Sequence, residues 1–323
     1  MTTAPGETLS GVVIKAQSGF FTVLTEAGAS VVCHLRGKLK HKRQSHDLAA
    51  IGDRVTVTVQ AEGLGMIETV APRQRVLARQ APSGHGRAGQ RASEQGKAQI
   101  IIANPDQAVF VFACAEPAPR LGALDRYLVM AEAVGLPAVI CANKADLLNP
   151  AHAEALFAVY PPLGYPVLFT STHTGQGLAA LRERLRGRLS VLAGPSGVGK
   201  SSLLNALQPG LGLRARTVSQ TTQKGRHTTV HPELLPLAVG GFVADTPGMR
   251  ALALWDVEPE ELDGYFVEIR PLVRYCAFSD CRHLSEPGCA VRDAVSAGHI
   301  AASRYQSYCR LRTGEELPEI DPE

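Results

Sequence analysis

Two short motifs in this chain are of the kind that binds a nucleoside triphosphate, and they stand in an unusual order. Residues 194–201 fit the phosphate-binding pattern G-x-x-x-x-G-K-[ST]. Residues 143–146 read N-K-A-D, the N-K-x-D pattern that selects guanine, yet they precede the first motif. Because such motifs all follow strands at the carboxyl edge of a parallel sheet, the site depends on which loops converge and not on their order. The order therefore predicts a circularly permuted GTP-binding domain.

The phosphate loop, residues 194–201, has the composition that a triphosphate requires. Glycines let backbone N–H groups approach the phosphate oxygens, and a helix N-terminus and a cation complement the negative charge. We expect Lys200 to reach the β- and γ-phosphates and the Ser201 hydroxyl to bind Mg²⁺. The predicted contacts of this loop and the following helix are Gly194, Pro195, Ser196, Gly197, Val198, Gly199, Lys200, Ser201 and Ser202.

The guanine loop, residues 143–146, accounts for base selection. Guanine presents two neighbouring N–H donors that one carboxylate accepts together, so Asp146 predicts guanine over adenine. Lys144 is expected to lay its stem along the base, and Asn143 to tie neighbouring loops. Residues 171–175 resemble a loop whose backbone N–H meets guanine O6, which makes Ser171 and Thr172 predicted contacts, although Thr172 replaces the usual alanine.

A D-x-x-G motif, residues 245–248, follows an apolar strand-like stretch about fifty residues past the phosphate loop. Asp245 is expected to hold Mg²⁺ through water, and the Gly248 N–H to meet the γ-phosphate. The polar segment between the two motifs is where a switch must close over the metal, and both Thr228 and Thr229 qualify as its Mg²⁺ ligand.

The position after the D-x-x-G motif holds Met249, where many GTPases place a glutamine that orients water. A thioether cannot do this, so the water-positioning group must come from elsewhere. His227 in the switch segment is the candidate catalytic residue. Two alternatives stay open: a partner supplies the group, or His227 contacts RNA or solvent.

The chain is predicted to be multidomain α/β. Residues 1–75 predict an N-terminal OB-fold β-barrel that binds RNA, because five short Val- and Thr-rich stretches alternate with turns. The predicted strands are 11–16, 20–25, 30–35, 54–59 and 66–70. The basic segment 36–43 is either a surface for RNA phosphates or a solvated loop. Residues 76–99 form a predicted basic linker in which Arg87, Arg91 and Lys97 either contact a polyanion or belong to an unstructured hinge.

Residues 100–254 alternate strands and helices as a circularly permuted P-loop GTPase domain would. Predicted strands are 109–115, 138–142, 167–170, 190–193 and 241–244, and predicted helices 121–134, 178–185 and 200–207.

Residues 255–323 predict a C-terminal helical zinc-binding domain. Cys276, Cys281, His283 and Cys289 offer three thiolates and an imidazole within fourteen residues, which suits one structural Zn²⁺ in a reducing compartment. Disulfide pairing and chance clustering are the alternatives. Helical stretches 289–298 and 301–311 follow, and their arginines, Arg292, Arg304, Arg310 and Arg312, either touch RNA phosphates or form a wet helical face.

Composition sets the broad class. The 323 residues, 45% of them apolar, suffice for two or three domains, and the net charge is +3. The N-terminus lacks the pattern of a signal peptide and no apolar run reaches membrane-spanning length, so we expect a cytoplasmic protein. Cys33, Cys114, Cys141 and Cys309 are expected to be packing residues.

Together the barrel, the permuted motifs, residues 225–229 and the Cys/His set resemble the ribosome small-subunit-dependent GTPase A family over nearly the whole chain. That resemblance implies binding to the small (30S) ribosomal subunit late in assembly, contacts to its 16S rRNA, subunit-stimulated hydrolysis of GTP with Mg²⁺, and release afterwards. The family also has an apolar residue at the Met249 position and a proposed catalytic switch histidine, matching His227. A monomer is expected. An RNA-binding protein that senses GTP, and a permuted GTPase with another partner, remain alternatives.

Overall fold

A computed structural model describes residues 6–37, 49–60, 64–80, 98–210, 233–245 and 257–315. The chain forms two compact units. The first comprises Met1–Asp106, Gly187–Val191 and Gln223–Trp255, and the second Gln107–Arg186, Leu192–Thr222 and Asp256–Glu323. Each unit is therefore assembled from segments that lie far apart in the sequence.

The first unit contains the barrel that the sequence predicts. Its strands are β1 (Thr8–Gln17), β2 (Phe20–Thr25), β3 (Ser30–Leu35), β4 (Arg54–Val59) and β5 (Gly65–Val70). They pair in the order β1-β2-β3-β5-β4, and a β1–β4 pairing closes the sheet, so the barrel has no free edge. Only β3 and β5 run parallel. The predicted bounds of β2, β3 and β4 are confirmed.

Alternation along the strands explains why the barrel closes. In β2 and β4 every second residue is buried, as expected where one face of a strand packs on a core. Val13, Val23, Cys33, Val57 and Ile67 are fully buried inside it. The predicted packing role of Cys33 is confirmed.

Two strand pairs among the described residues of the first unit lie outside the barrel. β6 (Val76–Gln80) and β7 (Ala98–Ala103) form an antiparallel pair, and β12 (Glu233–Pro236) and β13 (Phe242–Asp245) form another. β1 also pairs with β12 at Lys15 and Glu233. The first five residues of the predicted linker 76–99 form β6, and its last two begin β7. Its basic side chains Arg87, Arg91 and Lys97 lie outside the described residues.

A buried ion pair anchors the chain that leaves the barrel. The Asp53 side chain is fully buried and receives two hydrogen bonds from Arg73, 2.8 Å and 2.7 Å long. Its Oδ2 also accepts the backbone N–H of Ala50 at 2.7 Å. These directional bonds hold the start of β4 against the segment between β5 and β6.

The second unit is built on a parallel sheet. Strands β8 (Gln107–Ala113), β9 (Ala138–Asn143) and β10 (Val167–Phe169) are parallel neighbours. All residues of β8 and β9 are buried, as is typical of parallel strands that are covered on both faces. β11 (Leu189–Ala193) runs from the first unit into the second.

Seven α-helices are described, all in the second unit. They are α1 (Leu121–Ala133), α2 (Pro150–Phe157), α3 (Leu178–Leu185), α4 (Lys200–Leu207), α5 (Leu262–Tyr265), α6 (Ala290–Ser296) and α7 (Ala302–Thr313). The predicted bounds of α3 and α4 are confirmed. Helix α2 has no counterpart among the predicted helices, although Asn149 and Pro150 are a start signal: Asn149 Oδ1 accepts the Ala151 N–H at 2.9 Å. Among the described residues, no helix combines the length and apolar character needed to cross a bilayer.

Candidate nucleotide site and metal centre

The phosphate loop follows β11 and leads into α4, and two of its glycines cannot be replaced without a clash. Gly194 has a φ of +151°, and a Cβ there would lie 2.0 Å from the carbonyl oxygen of Val111. Gly199 has a φ of +93°, and its Cβ would lie 2.5 Å from Asn143 Nδ2. The backbone of the phosphate loop is therefore packed directly on strand β8, at Val111, and on the guanine loop, as only glycine permits.

The side chain of Lys200 folds back over the phosphate loop. Lys200 Nζ donates to the carbonyl oxygens of Gly194 and Pro195, both at 2.7 Å. Lys200, Ser201 and Ser202 form the first turn of α4, whose N-terminus carries partial positive charge. An ammonium group and a helix N-terminus thus meet at the loop, which is the electrostatic requirement of a phosphate group.

One buried amide joins the phosphate loop to the guanine loop. Asn143 is 1% exposed; its Nδ2 donates to the Val198 carbonyl at 2.8 Å, and its Oδ1 accepts the Thr170 hydroxyl at 3.0 Å. Val198 belongs to the phosphate loop, and Thr170 directly precedes the 171–175 loop. The expectation that Asn143 ties neighbouring loops agrees with this geometry.

Lys144 and Asp146 are the other two guanine-loop residues with predicted nucleotide contacts. Lys144 has a φ of +57°, and its ammonium donates to the carbonyl oxygen of Glu116. The exposed Asp146 lies in a 3₁₀ turn, Ala145–Leu147. Burial, and then the negative charge of Asp146, raise the pKa of the Cys114 thiol to about 11. Cys114 directly follows β8, and its backbone N–H donates to the carbonyl oxygen of Asn143 at 2.7 Å.

The loop after β10 is a tight turn. Ser171 is fully buried, and its hydroxyl accepts the backbone N–H groups of His173 and Thr174, both at 3.1 Å. Its own N–H donates to the Gln176 carbonyl at 3.0 Å. Thr172 is exposed at the turn. Ser171 thus shapes the loop, and its hydroxyl is occupied by the loop's own backbone.

Several predicted site residues cannot be located in this way. Asp245 is the last residue of β13, in the first unit. Gly248, His227, Thr228, Thr229 and Met249 lie outside the described residues, as does most of the basic segment 36–43.

The four predicted metal ligands form a compact cluster. The ligand atoms of Cys276, Cys281, His283 and Cys289 all lie within 4.8 Å of one another. His283 Nδ1 is 3.5 Å from Cys276 Sγ and 3.4 Å from Cys289 Sγ. Tetrahedral zinc would place such ligand atoms about 3.5 to 3.8 Å apart. The cysteines form no disulfide, so the donor set could hold Zn²⁺.

Supporting groups orient the metal cluster. His283 Nε2 faces Asp263 Oδ2 at 3.4 Å, which directs Nδ1 toward the thiols. The Glu286 carboxylate accepts the backbone N–H groups of Arg282, Leu284 and Ser285 at 2.9 to 3.1 Å. Burial alone would raise the pKa of Glu286, but these bonds lower it to about 2. The loop that carries two ligands is thereby fixed by a charged carboxylate.

Sequence reasoning missed three of these supporting groups. Thr170, Glu116 and Asp263 contact Asn143, Lys144 and His283 respectively. None of the three belongs to a motif, and each contacts its partner only in the folded chain. No local sequence pattern therefore predicts these contacts. Arg304 corrects a further expectation: it is 1% exposed, so it belongs to no solvated helical face, and its guanidinium is bonded to Asp125 and Glu268.

The geometry first defines a class. A parallel sheet with the guanine loop before the phosphate loop in the sequence, and a buried amide joining them, is a circularly permuted P-loop GTPase core, here preceded by a five-stranded barrel. The family model RsgA GTPase matches residues 70–255, and RsgA N-terminal domain matches residues 10–67. The chain belongs to the RsgA GTPase family and is a GTPase.

Known proteins align with nearly the whole chain. "Small ribosomal subunit biogenesis GTPase RsgA" of Gemmatimonas aurantiaca is 49% identical, covering 94% of this chain and 96% of the relative. The protein of that name from Moorella thermoacetica is 43% identical, covering 93% and 95%. The crystal structure of YjeQ from Thermotoga maritima superposes with a TM-score of 0.77 at 36% identity, covering 95% of this chain and 98% of that one. That of YloQ, described as a circularly permuted GTPase, gives 0.71 at 33%, covering 95% of each chain.

Gly199→Ala tests the contact between the two loops. We expect it to weaken GDP binding about tenfold or more, equivalent to about 1.4 kcal/mol, because the new methyl group displaces the Asn143 amide. Gly210→Ala is the matched control, since Gly210 also has a positive φ, +101°, but a Cβ there meets no atom within 4 Å. Titration with a fluorescent GDP measures both. Equal affinities of the two variants would contradict the packing argument.

Asp263→Asn tests the group that orients His283. We expect zinc affinity to fall about 10- to 100-fold, because the amide no longer holds the imidazole by charge. Competition against a chromophoric chelator gives the affinity, and Asp280→Asn, an exposed acidic residue of the same region, is the control. Unchanged affinity in Asp263→Asn would remove Asp263 from the site.

Proposed function

We propose that this GTPase binds the small (30S) ribosomal subunit late in its assembly, contacts its 16S rRNA in the cytoplasm and leaves after hydrolysing GTP. The observation that carries the nucleotide part is the Asn143 amide, which holds the guanine loop against the phosphate loop. The partner is supported by the relatives, whose name states small ribosomal subunit biogenesis.

Each proposed nucleotide contact has a physical role. Asp146 accepts the two guanine N–H donors, and Lys144 packs its stem on the base. Lys200 and the backbone of residues 194–199 bind the phosphates, with Ser202 in the following turn. The turn that Ser171 shapes presents Thr172, whose backbone N–H is proposed to meet guanine O6.

The proposed Mg²⁺ ligands are Ser201, Asp245 through water, and Thr228 or Thr229, with Gly248 donating to the γ-phosphate. His227 positions the attacking water, because Met249 cannot. A Mg²⁺ ion held by these residues would neutralise charge that develops on the phosphates during transfer. The metal cluster is proposed to hold one structural Zn²⁺, because its four ligands leave no position open for substrate.

The barrel supports an RNA-binding role. Phe20 is 53% exposed and Val32 45% exposed, on the neighbouring strands β2 and β3. An exposed aromatic ring is a surface on which an unpaired base can stack.

Permutation gives a route from hydrolysis to release. The D-x-x-G motif is followed in sequence by the C-terminal region that carries the metal cluster, so loss of the γ-phosphate can act on that region. This requires the GTP and GDP forms to differ in affinity for the ribosomal subunit, because a ligand that binds both conformations equally shifts nothing.

GTP hydrolysis with and without purified small ribosomal subunits tests this proposal, together with Asp146→Asn. We expect added subunits to accelerate turnover of the wild-type enzyme. Asp146→Asn should bind GTP about 100-fold more weakly, because it loses two charged hydrogen bonds, and gain binding of xanthosine triphosphate. Turnover that responds to another partner, or RNA binding without turnover, would overturn the ribosomal assignment. Unchanged GTP affinity would remove Asp146 from the site.

His227→Ala tests the catalytic assignment separately. Subunit-stimulated turnover should fall about 100-fold or more, while GTP affinity stays within about twofold of wild type. Single-turnover hydrolysis and a binding titration measure the two quantities. Should stimulated turnover persist at the wild-type rate, the partner supplies the catalytic group and His227 does not.

A further inference from the structure

The C-terminal helix α7 inserts one cation into the interior of the second unit. Arg304 Nη1 donates to Asp125 Oδ1 at 2.7 Å, and Nε donates to Glu268 Oε1 at 2.7 Å. The Arg304 and Asp125 side chains are only 1% and 2% exposed. Burying three charges costs desolvation energy that only good geometry offsets, and removing one partner leaves the others uncompensated.

A tyrosine completes this Arg304 cluster. Tyr160 donates its hydroxyl to Asp125 Oδ1 at 3.0 Å. Burial, and then the charge of Asp125, raise the pKa of Tyr160, so the hydroxyl remains a donor. The guanidinium also lies 4.6 Å from the ring centroid of Phe266. Four segments distant in sequence therefore meet at Asp125 and Arg304.

Two of these segments lead to the guanine loop. Asp125 lies in the second turn of α1, and α1 follows the loop whose Glu116 carbonyl receives the Lys144 ammonium. Tyr160 ends the stretch that runs from Asp146 through α2. Asp125 thus holds both the segment that contacts Lys144 and the segment that follows Asp146.

The same helix holds the metal cluster. Tyr305, next to Arg304, donates its hydroxyl to the His283 carbonyl at 2.6 Å. Tyr308, one turn further, donates to the Arg282 carbonyl at 3.0 Å. Consecutive residues of α7 therefore bind the loop that carries a metal ligand and the carboxylate that anchors the guanine-loop segments.

We propose that Arg304 is a positioning residue of the guanine site: through Asp125 it fixes the segments that present Lys144 and Asp146, and so links the C-terminal metal module to base recognition. Arg304 itself does not contact the nucleotide. This inference rests on the proposed guanine contact of Asp146. If Arg304 were purely structural, its replacement would lower only the free energy of unfolding. If it is a positioning residue, its replacement also changes the preference of the folded protein for guanine over other bases.

The test is Arg304→Met in the full-length protein, with release of a fluorescent GDP followed after mixing with excess unlabelled GDP. A dissociation rate constant does not depend on the fraction of molecules that are folded. We expect release about tenfold faster than wild type. The preference for GDP over IDP, which lacks the 2-amino group, should shrink, because Asp146 reads that group. Arg310→Met, an exposed cation of the same helix, should change neither quantity.

Two milder variants keep the test valid if Arg304→Met does not fold. Tyr160→Phe removes only the hydroxyl bond to Asp125 and should speed release about threefold. Tyr165→Phe is its control, since that hydroxyl bonds Glu132 at the other end of α1 at 3.1 Å. Removing zinc from the wild-type protein with a chelator should also speed release, and should add little in Arg304→Met.

The outcomes separate the two proposals. If Tyr160→Phe and any folded Arg304→Met release GDP as their controls do, with unchanged base preference, Arg304 is structural only and the inference is overturned. If instead the wild-type protein does not prefer GDP to IDP, or Asp146→Asn leaves that preference intact, the guanine site itself is wrong, and this is seen without any Arg304 variant.

Discussion

The proposed nucleotide site depends on the buried amide of Asn143. A bound purine nucleotide extends from its base to its phosphates, so the two loops proposed to bind its ends must be held at a matching spacing. Asn143 does this with one donor and one acceptor, bonded to Val198 and Thr170. Since each unsatisfied buried polar group costs about 1 to 3 kcal/mol, alternative arrangements of the loops are disfavoured.

This bond also explains why the permuted order is harmless. The guanine loop begins where β9 ends, and the phosphate loop directly follows β11. Each loop is therefore positioned by its own strand and not by the chain between the two loops. Close contact of the loops then requires Gly199, because a Cβ there would occupy the space of the Asn143 amide. The Asn143 side-chain bond and the close contact at Gly199 thus hold the two loops together whatever their order in the sequence.

The same device recurs elsewhere in the molecule. Asp53 with Arg73 joins the barrel to the segment before β6, and Arg304 with Asp125 joins α7 to α1. Each pair links residues distant in sequence, and each is shielded from water, which strengthens its directional bonds. The loop of the metal cluster is likewise held by a directional bond, from the Tyr305 hydroxyl to the His283 carbonyl.

The sequence by itself determined the elements whose signals are local. Alternation of Val and Thr located the barrel strands, the motif glycines located the phosphate loop with α4, and ligand spacing identified the metal cluster. Tertiary structure alone decided the pairing of β6 with β7, the burial of Arg304, and the partners of Asn143 and His283. These contacts join residues tens of positions apart or more. They arise from how whole elements pack, and periodicity within a short window carries no information about that packing.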